Sequence, residues 1–329
     1  MRILVTGATG FLGFRLIEKL KSLVYINDII ATGRKIKKTH FVESNKINYI
    51  LGDLSDKTFV NQITKDVDIL INCASLSSPW GSYSDYKKAN IDSQNNLIDA
   101  SKINKIKKII YISSPGVYYE FRDKIDISEE DLLPKKFVNH YAKTKFLAEE
   151  LLRASNIPYV IFRPRALIGR GDYVIVPRLI KAYDEKKLKI VGNGQNLVDL
   201  TPVSNVVDAI ILSINSDKAI NQTFNLSNGK PVKLWEVINY VLKKLDRNII
   251  SQRVPYKIAY VVSYLFELRS KIFNSDEPTT TRFSIGILAK SFTLNIQKAN
   301  NILKYVPKQT TQEAIEEFLK WYKTNNLKD

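Results

Sequence analysis

The sequence predicts an α/β protein with a doubly wound parallel sheet of about six strands or more and a smaller, mostly helical C-terminal lobe. Short apolar runs and helical patterns alternate through the first half of the chain, an order typical of parallel βαβ units. A glycine-rich turn joins the first apolar run to the first helical pattern. The second half is less regular and contains no repeat, low-complexity tract or linker. We therefore expect it to pack directly against the first half.

The individual elements follow from the apolar runs and their periodicity. Strands are predicted at Arg2–Thr6, Ile29–Thr32, Ile47–Leu51, Val67–Asn72, Lys108–Ser113 and Tyr159–Arg163. Helices are predicted at Phe11–Lys21, Tyr86–Ser101, Val138–Ala154, Val176–Glu185, Val203–Ile214, Lys233–Leu242 and Thr310–Asn325. We expect a first domain over residues 1–165, with a returning segment near 196–228, and a second lobe over residues 166–329.

Cysteine and histidine usage argues against metal and disulfide chemistry. Cys73 is the only cysteine in 329 residues, which excludes an internal disulfide and a cysteine metal cluster. His40 and His140 are the only histidines, so no metal site is expected. The first predicted strand begins at Arg2, which leaves no room for a signal peptide, and the expected location is the cytoplasm.

The formal net charge of +17 could indicate nucleic acid or a membrane surface as a partner. The lysines, however, are scattered along the whole chain, and no recognisable nucleic-acid-binding module accompanies them. We therefore expect no nucleic-acid partner, and an anionic substrate or cofactor is the simpler use for some of the charge.

An almost uninterrupted apolar segment runs from Tyr256 to Leu268. It is too short to span a bilayer, which takes about 20 residues. A buried helix is the favoured interpretation. The wall of a pocket for a hydrophobic substrate comes second, and attachment to a membrane surface comes third.

The glycine-rich turn has the spacing of a dinucleotide-binding loop. Gly7, Gly10 and Gly13 lie between the first predicted strand and the first predicted helix. Such a site needs a tight turn, a backbone close to the pyrophosphate, and a helix N-terminus that presents free N–H groups to the phosphates. Because the strand, turn and helix are all present, cofactor binding is favoured over a merely structural turn.

The residues after the second predicted strand indicate which nucleotide is bound. An NAD site places an acidic residue there, about 20 residues past the glycines, to bind the ribose 2′-hydroxyl. This chain has Arg34 instead, followed by Lys35, and a cation at this place suits the 2′-phosphate of NADP. We expect NADP, with NAD as the alternative. Asp53, after the third strand, either accepts a hydrogen bond from the adenine amino group or caps the following helix.

Ser114, Tyr141 and Lys145 are the catalytic candidates. The Tyr-x-x-x-Lys spacing places both side chains on one helical face. A nearby ammonium would lower the pKa of a tyrosine, which could then exchange a proton with a carbonyl or alcohol oxygen. Three other pairs have the same spacing, namely Tyr83/Lys87, Tyr183/Lys187 and Tyr240/Lys244. Only Tyr141 follows shortly after a serine that ends a buried strand, where ligands of parallel sheets collect.

These motifs in this order resemble an extended short-chain dehydrogenase/reductase of the NAD-dependent epimerase/dehydratase superfamily, with a Rossmann domain. The residues that carry the resemblance are Gly7-x-x-Gly10-x-x-Gly13, Asp53, Asn90, Ser114 and Tyr141-x-x-x-Lys145. Further stretches resemble the 3β-hydroxysteroid dehydrogenase-like branch and its bacterial 2-alkyl-3-oxoalkanoate reductases. They are residues 74–81, 163–169, 196–201 and 289–294.

The resemblance implies a set of site residues. The cofactor would be bound by Gly7, Thr9, Gly10, Phe11, Leu12, Gly13, Arg34, Asp53, Leu54, Cys73, Ala74, Tyr141 and Lys145. The substrate pocket would include Ser77, Ser78, Trp80 and Arg165. Relatives are often dimers, so a homodimer is expected. Asn90 would bind a backbone carbonyl and fix the helix under the site.

The implied reaction is hydride transfer from NADPH to the carbonyl of an apolar ketone, a 3-oxo acid or a 3-ketosteroid-like substrate, with Tyr141 as the acid. Nucleotide-sugar epimerases and dehydratases are the first alternative. Dehydratases carry Thr-Asp-Glu after the active-site strand, where this chain has Ser114-Pro115-Gly116, and sugar-nucleotide enzymes usually place asparagine where this chain has Ala166. A non-catalytic NADP-binding regulatory protein is the second alternative, but such relatives typically lose the tyrosine or the lysine.

Overall fold

A computed structural model describes residues 1–273 and 277–326. Its centre is a parallel sheet of seven strands in the order β12-β7-β5-β4-β1-β2-β3. These strands are β1 (Arg2–Thr6), β2 (Asp28–Thr32), β3 (Ile47–Tyr49), β4 (Ile69–Asn72), β5 (Lys108–Ile112), β7 (Tyr159–Pro164) and β12 (Gln222–Leu226). The other strands are β6 (Lys124–Ile127), β8 (Leu167–Ile168), β9 (Ile190–Val191), β10 (Leu197–Val198), β11 (Thr201–Pro202), β13 (Val232–Lys233), β14 (Arg253–Val254) and β15 (Phe292–Leu294).

Helices cover both faces of this sheet and build the second lobe. They are α1 (Phe11–Leu20), α2 (Lys57–Ile63), α3 (Tyr83–Tyr86), α4 (Ser93–Ile103), α5 (His140–Arg153), α6 (Ile175–Asp184), α7 (Val203–Ile214), α8 (Leu234–Lys244), α9 (Tyr256–Ile272), α10 (Arg282–Ala289), α11 (Gln297–Leu303) and α12 (Thr311–Asn326). A π-helical stretch at Lys87–Asp92 joins α3 to α4, and 3-10 turns lie at Lys38–His40 and Pro115–Tyr118.

The predicted doubly wound sheet is confirmed. The central strands of the sheet are buried on both faces. The apolar run of β5 predicts this burial, and all five residues of β5 are buried. The predicted strands end within a residue or two of the observed ones. The seventh strand, β12, comes from the second half of the chain and pairs with β7 in parallel register.

The strand order reverses between β1 and β4. From β1 the chain extends the sheet through β2 and β3, then returns to the other side of β1 with β4 and continues through β5. In such sheets a crevice opens at the carboxyl ends of the strands where the order reverses. Gly7 directly follows β1 and Cys73 directly follows β4, so both lie at this crevice.

The apolar segment that begins at Tyr256 forms α9, but the prediction of a buried helix is wrong. The buried side chains of α9 are Ala259, Ser263, Glu267 and Ser270, and its large apolar side chains face solvent. The physical reason is that α9 contacts its neighbour α10 through small and polar side chains. Among the described residues, no helix is both long and apolar enough to cross a membrane.

Candidate active site

Close backbone contacts require glycine at two positions of the loop after β1. A Cβ on Gly13 would lie 2.1 Å from the Gly7 carbonyl oxygen, inside any allowed contact. Gly7 has a φ of +63°, and a Cβ there would lie 2.7 Å from the Ala74 nitrogen. These two glycines therefore let α1 approach the loop closely and let the loop approach the end of β4.

The N-terminus of α1 has the features that a pyrophosphate requires. Gly10 is the N-cap residue, and no side chain caps the free N–H groups of the first turn. Gly10 is exposed, while Leu12 is buried and anchors the helix to the core. The residues present thus fit a dinucleotide, since uncapped N–H groups at the positive end of a helix bind phosphate oxygens.

The loop after β2 places cations beside this crevice. Arg34 and Lys35 are both exposed, directly after Gly33, where an added Cβ would lie 2.2 Å from the Thr9 hydroxyl oxygen. Asp53 is exposed across from them, 3.9 Å from the Lys88 Nζ. Hydrogen bonds from Ser55, together with the charges of Lys88 and Arg34, lower the pKa of Asp53. Leu54, beside Asp53, is half-buried.

Asp53 does not cap the following helix, so that alternative is wrong. The N-cap of α2 is Asp56, whose carboxylate accepts hydrogen bonds from the Thr58 and Phe59 amides. The Asp53 carboxylate accepts from the Ser55 amide at 2.9 Å instead. Its role toward an adenine stays a prediction.

His40 supports the glycine loop, a role that no sequence pattern predicted. Its ring is buried, stacks on Phe14 with 4.3 Å between ring centroids, and faces two backbone carbonyls. The carbonyl oxygens are those of Thr9, 3.0 Å from Nδ1, and Gly171, 3.2 Å from Nε2. His40 therefore joins the glycine loop to the second lobe.

The hydroxyl groups of Tyr141 and Ser114 lie near each other at the carboxyl end of β5. Ser114 Oγ accepts a hydrogen bond from the Gly116 amide at 3.1 Å, which leaves the hydroxyl hydrogen free to donate. Burial raises the pKa of Tyr141, and the nearby hydroxyl groups of Ser114 and Ser75 oppose this rise. The phenol is therefore neutral at neutral pH and can donate a proton. The predicted lowering of the Tyr141 pKa is wrong in this structure.

Lys145 lies one helical turn beyond Tyr141 and is buried, with 2% of its surface exposed. Its Nζ donates a hydrogen bond to the Ile112 carbonyl at 2.6 Å and lies 4.6 Å from the centroid of the Tyr111 ring. Burial lowers the pKa of Lys145 to about 7, against the opposing effects of Cys73 and Glu149. Because this ammonium is directed at a backbone carbonyl, burial dominates the pKa of Tyr141.

A buried ion pair holds α5 against the sheet below these groups. Arg163 Nε donates to Glu149 Oε1 at 2.9 Å, and Ser113 donates to the same carboxylate. Although burial opposes the ionisation of Glu149, the charges of Arg163 and Arg153 keep its pKa below the ordinary value. Because Glu149 and Tyr118 occupy the guanidinium of Arg163, this arginine is not free to bind a substrate.

The segment after β4 forms another wall of the crevice. Asn90 binds the Leu76 backbone on both sides, since Oδ1 accepts from the amide at 2.8 Å and Nδ2 donates to the carbonyl at 3.2 Å. Its Nδ2 also reaches Thr144 of α5, at 3.0 Å. The prediction that Asn90 binds a backbone carbonyl under the site is confirmed. Ser77 is exposed, and Ser78 and Trp80 are half-buried in the same segment.

Arg165 lies in a second polar cluster, with Asp199 and Tyr119 as its neighbours. Its guanidinium lies 4.8 Å from the centroid of the Phe292 ring. Burial lowers the pKa of Arg165 and raises that of Asp199 to about 6. Within the described part of the chain, Arg165 Nε, Asp199 Oδ1 and the Tyr119 hydroxyl are buried without a hydrogen-bond partner. Three polar atoms in this state are ready to bind a polar group.

Comparison with known proteins decides the family. A family model described as the NAD dependent epimerase/dehydratase family matches residues 3–227. The chain belongs to this family. It is an NAD(P)-binding enzyme of an oxidoreductase and epimerase class, and the dinucleotide crevice between β1 and β4 is the site that this membership requires.

Curated relatives of this family member match it along nearly its whole length. A 2-alkyl-3-oxoalkanoate reductase from Stenotrophomonas maltophilia is 29% identical, with 96% of this chain and 97% of the relative covered. A protein of the same name from Shewanella oneidensis is 30% identical, with 95% and 84% covered. A decarboxylating sterol-4-alpha-carboxylate 3-dehydrogenase from Candida albicans is 29% identical, with 97% of each chain covered.

Two solved structures with the same fold are named epimerases. A UDP-glucuronic acid 4-epimerase from Bacillus cereus, solved with NAD, has a TM-score of 0.75, is 23% identical, and covers 98% of this chain and 99% of its own. An epimerase from Methanothermobacter thermautotrophicus has a TM-score of 0.80 at 20% identity, with 99% and 93% covered. At these identities the similarity shows the fold alone.

The structure brings several predicted residues together and leaves others apart. Ser114 and Tyr141 lie near each other, and Lys145 lies within electrostatic reach of Cys73, which follows β4. Arg165 directly follows β7, the neighbour of β5 in the sheet, and its guanidinium belongs to the Asp199 cluster. Among the described residues, no group of three or more His, Cys, Asp or Glu side chains could hold a metal ion.

Three residues of the site were not predicted from the sequence. Ser75 faces the Tyr141 phenol, and its position just past a strand end is a signal that could have found it. His40 and Glu149 lie far along the chain from the groups they support, and no local pattern marks either of them.

Proposed function

We propose that this protein is an NADP-dependent oxidoreductase that reduces the carbonyl of an apolar ketone to an alcohol. The observation that carries the proposal is the position of the Ser114 and Tyr141 hydroxyls near each other at the carboxyl end of β5, where burial raises the pKa of Tyr141 further and the phenol stays protonated. The named activities of the curated relatives support reduction or dehydrogenation over epimerisation.

In this mechanism the protein's own groups handle the oxygen and its proton. When bound, the nicotinamide supplies the hydride to the carbonyl carbon. The Ser114 hydroxyl, held by the Gly116 amide, donates a hydrogen bond to the carbonyl oxygen as negative charge develops there. The Tyr141 phenol gives its proton to that oxygen. Lys145 lies beneath, where its ammonium would bind the nicotinamide ribose and stabilise the phenolate that remains.

The cofactor preference belongs to the same proposal. Gly7, Thr9, Gly10, Phe11, Leu12 and Gly13 would hold the pyrophosphate, and Leu54, Cys73 and Ala74 would line the nucleotide. Arg34 and Lys35, both exposed at the end of β2, supply positive charge where a 2′-phosphate would lie. Asp53 would accept a hydrogen bond from the adenine amino group.

The substrate class is supported by the second polar cluster. Arg165 has an unpartnered Nε beside buried Asp199 and Tyr119, and aromatic side chains surround it. A 3-oxo acid would place its carboxylate at this guanidinium and its alkyl chains along Trp80 and the neighbouring segment. Ser77 and Ser78 would complete the polar edge of the pocket.

The test is loss of NADPH absorbance with a panel of 3-oxo acids, 3-ketosteroids and UDP-sugars. We expect turnover of an apolar ketone, and Tyr141→Phe should lower kcat by about 10²- to 10⁴-fold because it removes the proton donor. The affinity of Tyr141→Phe for NADPH should stay within a few-fold of wild type, since the phenol is not a phosphate ligand.

The opposite outcomes are equally distinct. Conversion of a UDP-sugar without net cofactor consumption would assign this chain to the epimerases. NADPH binding without turnover of any member of the panel would favour a regulatory protein. Loss of NADPH binding in Tyr141→Phe would reject the role given to the phenol.

A further inference from the structure

Helix α9 buries small or polar side chains and exposes apolar side chains. The side chains it buries are small or polar: Ala259, Ser263, Glu267 and Ser270. The side chains on the opposite side are apolar and between 41 and 67% exposed: Ile258, Val261, Leu265, Leu268 and Ile272. In a helix of a water-soluble protein the apolar stripe faces the core. Here it faces away from the core.

The inward face of α9 is satisfied by the protein itself. Glu267 accepts hydrogen bonds from the Arg282 amide at 2.7 Å and from Arg282 Nε at 2.8 Å. Ser263 donates to the Ala259 carbonyl at 2.8 Å. Since these contacts fix the orientation of α9 on α10, the helix cannot turn its apolar face inward without breaking a partly buried ion pair.

Contiguous apolar faces made of several large side chains are rare on a free protein surface. They mark contacts with an apolar partner. The charges on α9 indicate the chemistry of that partner. Lys257, Arg269 and Lys271 are exposed, and Glu267, the only acidic residue of the helix, is buried. All outward charges of α9 are therefore positive, on a chain with a formal net charge of +17.

This charge pattern disfavours a second copy of the chain as the partner. Two α9 helices packed on each other would bring the cations of both copies to the flanks of one apolar seam, where like charges repel. An anionic bilayer has the complementary chemistry, because its acyl chains accept the apolar face and its headgroups attract the flanking cations.

The end of α9 lies beside the candidate active site. Lys271 Nζ is 6.0 Å from the centroid of the Trp80 ring, in the segment that follows β4. Near the other end of the helix, the Tyr260 ring packs edge-on against Phe121, with 5.6 Å between centroids. The C-terminal end of α9 therefore lies near the Trp80 segment of the crevice.

We propose that α9 is an interfacial helix that binds the surface of an anionic bilayer, with its apolar face among the acyl chains. Apolar substrates then reach the crevice beside Trp80 directly from the lipid. The binding of lipid stands independently, whereas this second step rests on the proposed function.

The first test is sedimentation of the full chain with vesicles of phosphatidylcholine and phosphatidylglycerol, and with vesicles of phosphatidylcholine alone. We expect strong binding only to the anionic vesicles. Leu265→Glu should abolish it, because it places a charge at the centre of the apolar face. Leu132→Glu is the matched control, since Leu132 is 90% exposed but lies outside α9, and it should bind as wild type does.

Variants that remove positive charges from α9 test whether its cations contribute to vesicle binding. Removal of Lys257 and Arg269 by alanine should weaken vesicle binding about fivefold for each charge. Unchanged binding in Leu265→Glu would overturn the proposal. A wild-type dimer in light scattering that Leu265→Glu converts to a monomer, with no vesicle binding by either, would overturn it too and assign the face to a second copy.

The delivery step has its own measurement. Leu265→Glu should slow turnover of a long-chain ketone held in vesicles and leave turnover of a water-soluble short-chain ketone unchanged. Equal rates on both substrates would reject delivery from lipid. Tyr141→Phe should bind vesicles as wild type does, so failure of the proposed reaction and failure of membrane binding are separately visible.

Discussion

The buried ammonium of Lys145 gives the clearest pH signature at the residue scale. Its pKa falls from an ordinary 10.5 to about 7 on folding. Between these two values the unfolded chain binds more protons at this site than the folded one, so stability rises with pH across this range. Below the folded pKa the cost of burying the charge is present in full.

Lys145→Met should therefore change the pH dependence of stability in the cofactor-free protein. The Tm of the variant minus that of wild type should be greatest below a pH of about 7 and should decrease as the pH rises toward 10.5. The lost hydrogen bond to the Ile112 carbonyl lowers the variant's Tm by an amount that does not vary with pH. Lys143→Met, on the exposed side of the same helix, controls for loss of one positive charge. A difference that does not vary with pH would contradict the buried-ammonium account.

Arg34 carries the prediction about cofactor preference. If its guanidinium binds a 2′-phosphate, Arg34→Ala should weaken NADPH by about 10- to 100-fold, as expected for loss of a charge-assisted hydrogen bond. Binding of NADH should stay within a few-fold. Titration of both cofactors checks this, with Lys38→Ala as an exposed lysine of the same loop for comparison. Equal losses of affinity for NADPH and NADH would show that Arg34 does not bind the 2′-phosphate.

At the scale of elements, the glycine loop and α1 act as one unit. The Cβ of Gly13→Ala would lie 2.1 Å from the Gly7 carbonyl oxygen and 2.6 Å from the Ala8 Cα, both of them backbone atoms. Because backbone cannot rotate away, α1 must move off the loop, at a cost of about 1–3 kcal/mol. Gly13→Ala should lower Tm and abolish dinucleotide binding.

Gly192→Ala supplies the control for this prediction. Its φ of +74° also favours glycine, but nothing lies within 4 Å of the added Cβ. It should lose about 1 kcal/mol of stability from backbone strain and keep its cofactor affinity. Calorimetry and cofactor titration on both variants separate crowding from strain. A Gly13→Ala protein that binds NADPH normally would show that the close approach of α1 is dispensable.

Elements also show where sequence patterns mislead. The segment that begins at Tyr256 has the apolar content of a buried helix, yet α9 exposes most of it. Apolar content measures what a segment avoids, which is water, and does not say whether protein or another apolar phase covers it. The buried stripe of Ala259, Ser263 and Glu267 becomes apparent only when the contact with α10 is known.

At the scale of the whole molecule, salt bridges join the two halves of the chain. Arg15 of α1 binds Glu317 of α12 at 2.8 Å, and Arg170 binds Glu18. His40 adds its contacts with the Thr9 and Gly171 carbonyls. These contacts hold the second lobe against the glycine loop, so the cofactor crevice is supported from both halves of the chain.

The sequence by itself determined the doubly wound sheet, the glycine loop, and the three groups Ser114, Tyr141 and Lys145. These features are local: strand, turn and helix signals lie within a few residues of one another, and a parallel sheet gathers strand ends at one edge. The role of Asn90 was predicted from the family resemblance, and the structure confirms its bond to a backbone carbonyl.

The tertiary structure alone decided the charge states, the partners and the exposed surfaces. The pKa of Tyr141 rises because burial outweighs the opposing effects of the Ser114 and Ser75 hydroxyls, while the Lys145 ammonium is directed at the Ile112 carbonyl. Arg163 binds Glu149, and Arg165 joins Asp199, although the two arginines are two residues apart. Burial and pairing depend on groups far apart in the chain, which no local pattern encodes. The outward face of α9 is decided by the same long-range packing.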